Sequence, residues 1–328
     1  MDLLRQIRRR AVRGGDVVLG IGDDCALLRT RPGEVVAVTT DLNIDGRHFK
    51  LGWHPPEAVG HRTLARGLSD LAAMGARPLA AFVSLGLPRE LVEGRRGAKS
   101  WVSRFYDGLL ELAEKHKAPL AGGDLSESPV GLADIVLVGA VPGGKAMLRS
   151  AARAGDALYV TGTLGGSAAG LAKLAELAAG RKRGAAGSAA IPARWAPMLQ
   201  PHLYPQPRLA QGKWLRDRGL AGSAIDLSDG LSTDLAHICQ ESGVAAELDA
   251  AAVPLGLGAT LEEALHGGED YELLFTARPN QRVPRSIAGV PVTRLGRIVP
   301  ARTDDPQITL LTAGGPLPLQ PRGWQHFI

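Results

Sequence analysis

The sequence predicts an α/β (α+β) protein of two domains, with mixed sheets flanked by helices. Three observations carry this expectation. At 328 residues the chain is about twice the usual single-domain length. Short apolar runs rich in β-branched residues alternate with segments of helical periodicity. The alternation restarts after Pro142-Gly143-Gly144, which divides the chain into an expected N-terminal domain, 1–150, and a C-terminal α/β domain, 151–328. Hydrophobic residues at 45% and charged residues at 22% fit a folded globular chain and argue against a disordered, collagen-like or coiled-coil one.

In chain order, Asp2 to Val12 puts Leu3, Leu4 and Ile7 on one face of a short amphipathic helix, with its arginines toward solvent. Val17 to Leu19, Ala26 to Leu28 and Val35 to Thr39 read as strands. Pro55-Pro56-Glu57 opens a helix bearing Val59, Leu64, Leu68 and Leu71, and Gly75 and Pro78 stop it. Leu79 to Leu87 is a buried strand closed by Pro88. Lys99 to Lys117 is a second long helix, which leads through Pro119 into Gly122-Gly123-Asp124. Ile135 to Val141 is the last strand of this half.

The second half brings a strand at Ala157 to Thr161, helices at Ser167 to Ala178 and Arg208 to Arg218, and a strand ending in Ile225. A helix at Leu231 to Glu241, a strand at Val244 to Leu248, a helix at Thr260 to Leu265 and strands at Glu272 to Thr276 and Pro291 to Ile298 complete it. The stretch GRKRGAAGSAAIPARWAP, near 179–197, has little apolar pattern and is expected to be a mobile insertion.

Thirty-eight Lys and Arg against 33 Asp and Glu give a net charge of +5, and Arg outnumbers Lys by 30 to 8. This balance suits anionic ligands. The cations are scattered, apart from Arg5, Arg8, Arg9, Arg10 and Arg13 and the run Arg181-Lys182-Arg183, and aromatics are only 4%. A nucleic-acid partner is therefore not expected. Cys25 and Cys239 stand far apart with no paired-cysteine motif, which favours a reducing compartment over a disulfide framework or a zinc-thiolate site. The opening MDLLRQIRRR has no signal-type apolar core, and no run of 18 apolar residues occurs. The expectation is a cytoplasmic protein with no membrane partner.

Near-matches to familiar motifs fail on single residues. The segment from Gly139 to Ala146 resembles a phosphate-binding loop, but Ala146 occupies the place of the metal-binding hydroxyl. Asp41-Leu-Asn43-Ile-Asp45-Gly46 opens like a calcium loop, but its twelfth position is Gly52 and it follows a strand. HExxH, G-x-S-x-G and a post-strand G-x-G-x-x-G are all missing, which weakens protease, hydrolase and dinucleotide-binding readings.

What remains is a set of aspartates at strand ends and in glycine-rich turns: Asp23 and Asp24 after Gly20-Ile21-Gly22, Asp41 after Thr39-Thr40, Asp124 after Gly122-Gly123, and Asp226 and Asp229 around Leu227-Ser228. Asp70 adds a carboxylate between Leu68 and Leu71 on a helix that otherwise reads as packed. Hard oxygen donors of this kind suit Mg²⁺ shared with phosphate and water. Each also has a structural reading. The aspartates of a G-D-D turn shape the turn, Ser228 or Asp229 can cap the helix from Leu231, and Asp70 can be a solvated helix residue. Gly122-Gly123 permits a close backbone approach to phosphate.

The motifs GIGDDCALL (20–28), TTDLNIDGRHF (39–49), LSDLAAMGARP (68–78), GGDLSES (122–128), LRSAARAGD (148–156), YVTGTLGGSAAGL (159–171), IDLSDGLSTDL (225–235) and GGEDYELLF (267–275), in this order, resemble the thiamine-monophosphate kinases. Those enzymes belong to the superfamily of aminoimidazole ribonucleotide synthetase and selenophosphate synthetase. The resemblance implies that superfamily's two-domain fold, a homodimer, and ATP-dependent phosphorylation of thiamine monophosphate to thiamine diphosphate. It further implies several Mg²⁺ ions held by Asp24, Thr39, Thr40, Asp41, Asp70, Asp124, Asp226 and Asp229, with Asp124 and Asp229 central to the chemistry. Tyr106, Gly123, Asp124, Arg149 and Ser228 would then bind ATP, and His48, Glu269 and Trp324 the acceptor. Glu269 and Trp324 can share a pocket only if the tail folds back over the second domain. The alternatives are another phosphotransferase of the superfamily or a non-catalytic nucleotide-binding scaffold. Selenophosphate synthetase itself is disfavoured because no Lys precedes Lys50 and Cys25 follows the acidic loop.

Overall fold

The computed structural model describes residues 2–11, 15–93, 99–180, 191–301 and 307–323. It divides into two compact units: 1–71, 77–143 and 174–193 form the first, and 72–76, 144–173 and 194–328 the second.

The first unit runs α1 (Asp2–Arg10), β1 (Val17–Leu19), β2 (Leu27–Leu28), β3 (Glu34–Ile44), α2 (Pro56–Ala73), β4 (Arg77–Leu87), α3 (Arg89–Glu93), α4 (Trp101–His116), β5 (Leu120–Glu127) and β6 (Leu132–Pro142). Its main sheet has the order β3-β6-β4-β5, antiparallel except for the parallel pair β4 and β5. The four apolar residues expected to form the face of α2, Val59, Leu64, Leu68 and Leu71, are all buried. Pro56 at its first position has no N–H to satisfy there. Helices α2 and α4 cross at glycine. A methyl group on Gly60 would lie 1.9 Å from the Phe105 carbonyl oxygen, and one on Gly108 would lie 1.9 Å from that of Glu57. Arg104 clamps the crossing by donating to both carboxylate oxygens of Glu57 at 2.7 and 2.8 Å.

Two expectations change here. Asp124 lies inside β5 rather than at its end, because the parallel partner β4 supplies a ladder that runs straight through Gly122 and Gly123. Asp41 likewise sits within β3, which pairs with β6 as far as Ile44.

The second unit contains β7 (Ala157–Thr161), the first half of α5 (Gly166–Ala179), α6 (Ala196–Leu203), α7 (Leu209–Arg218), β8 (Ala224–Asp226), α8 (Leu231–Ser242), β9 (Val244–Asp249), α9 (Leu261–His266), β10 (Leu273–Ala277), β11 (Ser286–Ile287), β12 (Val290–Pro300), β13 (Ile308–Thr312) and β14 (Gly315–Pro318). The sheet order is β14-β13-β9-β12-β7-β10-β8, with β11 paired to β12. Leu158, Val160, Ile225, Leu227, Leu235, Ile238 and Leu274 belong to one continuous core beneath it. Residues 181–190 of the stretch expected to be an insertion lie outside the described residues. Its C-terminal end is helical, with a 3₁₀ turn at Ala193–Trp195 and α6 starting at Ala196.

Candidate active site

In the first unit the acidic loop 20–26 and the glycines of β5 form the walls of a cleft of about 380 Å³, with Tyr106, Phe82 and Val83 behind them. Asp24, Tyr106, Gly123 and Asp124 are brought together here. The floor depends on Gly123, whose φ of +145° and close approach to β4 exclude a side chain: a Cβ would stand 1.9 Å from the Val83 carbonyl oxygen. The exposed Asp124 carboxylate accepts from the Leu125 N–H at 2.8 Å and from the Ser126 hydroxyl at 3.3 Å. Burial of Tyr106 pushes its phenol up to about 12, which keeps this wall of the cleft neutral.

A second group forms between β3 and α2. The Thr39 hydroxyl donates to Asp70 Oδ2, and Arg66 Nη2 lies 3.2 Å from Asp41 Oδ1. Burial raises the Asp41 carboxyl above its ordinary range, Arg66 opposes this, and Asp134 adds to it. Side chains alternate along a strand, so Thr40 faces away from this group, on the exposed side with Val38 and Leu42. In the turn after β3, His48 Nδ1 accepts from the Ile44 N–H at 3.1 Å, which in the neutral ring leaves the proton on Nε2.

The second unit joins two loops back to back. Glu269 donates its N–H to the Ser228 carbonyl at 2.8 Å, and Tyr271 donates to that of Leu227 at 2.9 Å. This pairing sets Glu269 beside Ser228, with Gly268 packed against Asp229. It holds Glu269 at φ 65° and Tyr271 at φ 53°, in a region that side chains rarely adopt. Behind the turn, Asp234 accepts from the N–H groups of Asp229 and Gly230, both at 3.1 Å. Burial, with Asp226 and Asp229 nearby, raises the Asp234 carboxyl well above the carboxylate range.

Asp234 and His237 come within reach of Asp229 as a three-residue oxygen and nitrogen donor set. The sequence reading passed over both. The signal was there, in an Asp and a His three residues apart on the first turns of a helix that follows an acidic turn. Arg149 occupies an exposed 3₁₀ turn whose own carbonyl accepts from Ser223 and Ser242 at 2.9 and 2.7 Å.

The tail does fold back within this unit. Gly323 donates its N–H to the Thr233 hydroxyl at 3.0 Å, and a Cβ on it would stand 1.9 Å from the Asp229 carbonyl oxygen. Arg322 reaches Glu262 at 3.0 Å and His266 Nε2 at 3.1 Å. The chain is thereby led to the Asp229 turn. Trp324, the next residue, lies outside the described residues.

Comparison with known proteins agrees with this arrangement. Residues 22–145 match the N-terminal domain of the AIR synthase-related proteins, and residues 153–308 match their C-terminal domain. The thiamine-monophosphate kinase of Escherichia coli K12 is 39% identical over 324 residues, covering 95% of this chain and 93% of that protein. A crystal structure of thiamine-monophosphate kinase from Stenotrophomonas maltophilia K279a superposes with a TM-score of 0.79 at 36% identity, over 94% of this chain and 96% of that one. AaThiL complexed with AMPPCP and TMP superposes at 0.75 and 30% identity, over 99% and 95%. With both domain types in order and this identity sustained along nearly its whole length, the chain belongs to the thiamine-monophosphate kinase family of the AIR synthase-related proteins.

Proposed function

We propose that the chain transfers the γ-phosphoryl group of ATP to thiamine monophosphate, giving thiamine diphosphate and ADP. The observation that carries this reading is the clustering of oxygen donors on backbone that can approach phosphate closely. Asp24 and Asp124 flank the bare glycines of β5, Asp41 shares a strand face with Thr39 whose hydroxyl meets Asp70 of α2, and Asp226 and Asp229 stand in a turn paired with Glu269. The acceptor oxygen belongs to a phosphomonoester whose second pKa is about 6, so it is ionised near neutrality and needs no base. Repulsion between two anions is the larger obstacle, and divalent cations held by these carboxylates would offset it.

The donor sets fit Mg²⁺. They are rich in hard oxygen, and the mutual repulsion of Asp226, Asp229 and Asp234 is the condition a divalent cation relieves. We assign Asp24, Thr39, Thr40, Asp41, Asp70, Asp124, Asp226 and Asp229 to the metals, with Thr40 contributing through its carbonyl oxygen because its hydroxyl faces away. When bound, Mg²⁺ supplies neutralising charge to both phosphates. Tyr106, Gly123, Arg149 and Ser228 hold ATP, with Arg149 offering a forked cation to its phosphates. His48, Glu269 and Trp324 hold the acceptor, where a carboxylate and an aromatic face suit the cationic thiazolium ring.

We further propose a homodimer formed through β3. This edge strand exposes Val36 at 50%, Val38 at 62% and Leu42 at 47% on one face, an apolar row that a second copy would cover. No helix among the described residues is long and apolar enough to cross a membrane. We place the enzyme in the cytoplasm, where ATP is supplied. ADP release measured with and without thiamine monophosphate tests the function. Strict dependence on the acceptor is expected. Equal release without it would indicate a nucleotide hydrolase, and no release in either case would indicate a binding scaffold.

A further inference from the structure

Glu269 has a buried neighbour that no part of the sequence reading singled out. Helix α6 lies against the first turns of α5 where α5 is bare. A methyl on Gly166 would meet Pro201 at 3.3 Å, and one on Gly170 would meet the His202 Cβ and the Met198 carbonyl oxygen, both at 3.0 Å. This close approach brings the His202 ring, 1% exposed, in among the α5 turn and the Glu269 loop. Its Nδ1 lies 3.0 Å from the Ser167 hydroxyl and 3.7 Å from Glu269 Oε2.

The same turn grips the neighbouring residue. Asp270 accepts from the Gly165 N–H at 2.7 Å and the Ser167 N–H at 3.1 Å. Glu269 is thus fixed at φ 65° by bonds on either side of it, with its N–H committed to Ser228. A backbone held in so sparsely populated a region marks a place where side-chain direction matters. The Glu269 side chain remains 23% exposed, so one part of the carboxylate faces buried groups while the rest meets solvent.

We propose that His202, backed by Ser167, is a positioning residue for the acceptor site: it holds the Glu269 carboxylate in the one orientation that meets the cationic ring system of thiamine monophosphate. An imidazole nitrogen 3.0 Å from the Ser167 hydroxyl and 3.7 Å from the carboxylate oxygen gives that oxygen a fixed electrostatic neighbour on its buried side, while part of the Glu269 side chain stays exposed. The inference rests on the assignment of Glu269 to the acceptor, and its test separates the two.

KM for thiamine monophosphate and for ATP is measured for Glu269→Gln, Ser167→Ala, His202→Phe and His202→Asn, and for Glu269→Gln combined with each of Ser167→Ala and His202→Phe. Glu269→Gln is expected to raise KM for thiamine monophosphate roughly tenfold, as loss of a charged contact to a ligand does, and His202→Phe and Ser167→Ala about threefold, because the 3.7 Å contact they disturb is electrostatic and longer than a hydrogen bond, with KM for ATP unchanged in all three. The combinations should be no worse than Glu269→Gln alone, and His202→Asn, which keeps an N–H near the Nδ1 position, should behave as the parent. If Glu269→Gln raises KM for thiamine monophosphate but the His202 and Ser167 variants leave it unchanged or add to it in full, the positioning role falls and the acceptor assignment stands. If Glu269→Gln leaves that KM unchanged, the acceptor assignment itself falls and takes the inference with it. Should His202→Phe fail to fold, Ser167→Ala reads the same contact with a smaller disturbance to packing.

Discussion

Asp124 and Asp270 show how two carboxylates in one protein take opposite work from their surroundings. Asp124 is exposed and spends its oxygens on Leu125 and Ser126 beside it, so its charge is available to a ligand and its loss should not disturb packing. Asp124→Asn is expected to keep the parent's melting temperature while kcat/KM falls by roughly 10²-fold or more, the effect of losing a metal-binding charge in a phosphoryl-transfer site. Parental activity in the folded variant would overturn the proposed assignment of Asp124 to a metal. Asp270 lies half-buried against the start of α5, and desolvation there pushes its carboxyl up from 3.8 to about 7 despite the two N–H groups from which it accepts. A folded-state pKa raised above the unfolded value contributes stability that is full below about pH 4 and lost as pH rises through about 7. Asp270→Asn removes that dependence, so its melting temperature should improve relative to the parent's between pH 5 and pH 8, a window that brackets the upper part of the titration. A constant difference across the window would contradict the assignment.

At this scale the sequence was informative about residue type and silent about contact. Asp24, Asp41, Asp70 and Asp229 stand out because acidic residues beside glycine, or on a packed helix face, need a reason. His202 and Ser167 offer no such signal. Their role depends on α6 lying across α5, and an isolated buried histidine in a sequence looks like any core histidine.

Among the elements, those with strong periodicity were legible. The strand β7 and the helices α2, α4 and α8 emerge from apolar spacing and turn residues. The short helix α6 was hidden because it follows a Gly- and Ala-rich stretch and carries Pro197 and Pro201, although Pro197 at the start of a helix costs little. The strands β13 and β14 are short and half exposed, so their apolar alternation is weak. The glycine crossing of α2 and α4 was invisible for another reason, since a glycine within a helix reads only as a weak helix former until its neighbour is known. Gly60→Ala improves helix propensity yet drives a methyl into the Phe105 carbonyl. Urea denaturation should show a net loss of about 1–3 kcal/mol, the usual cost of overpacking. A gain in stability would mean that the two helices can separate without penalty.

For the whole molecule, the proposed dimer rests on the exposed apolar row of β3, and its test lies at the middle of that row. Val38→Asp places a charge at the centre of that row and should convert the dimer to monomer by light scattering at micromolar concentration. It should leave the internal fold intact, because Val38 faces outward. A variant that still dimerises would move the interface elsewhere. The two-domain α/β class was legible from the strand and helix signals that occur on both sides of Pro142, which agrees with the two domain types matched along the chain.

The central claim is direct transfer of the terminal phosphoryl group between two phosphate oxygens. It is tested by incubating the enzyme with Mg²⁺, thiamine monophosphate and ATP labelled at the γ-phosphorus, then following the label by chromatography. The account predicts that the label appears in the terminal phosphate of thiamine diphosphate, in amounts equal to the ADP formed. Label recovered as inorganic phosphate while thiamine monophosphate remains unchanged would contradict it.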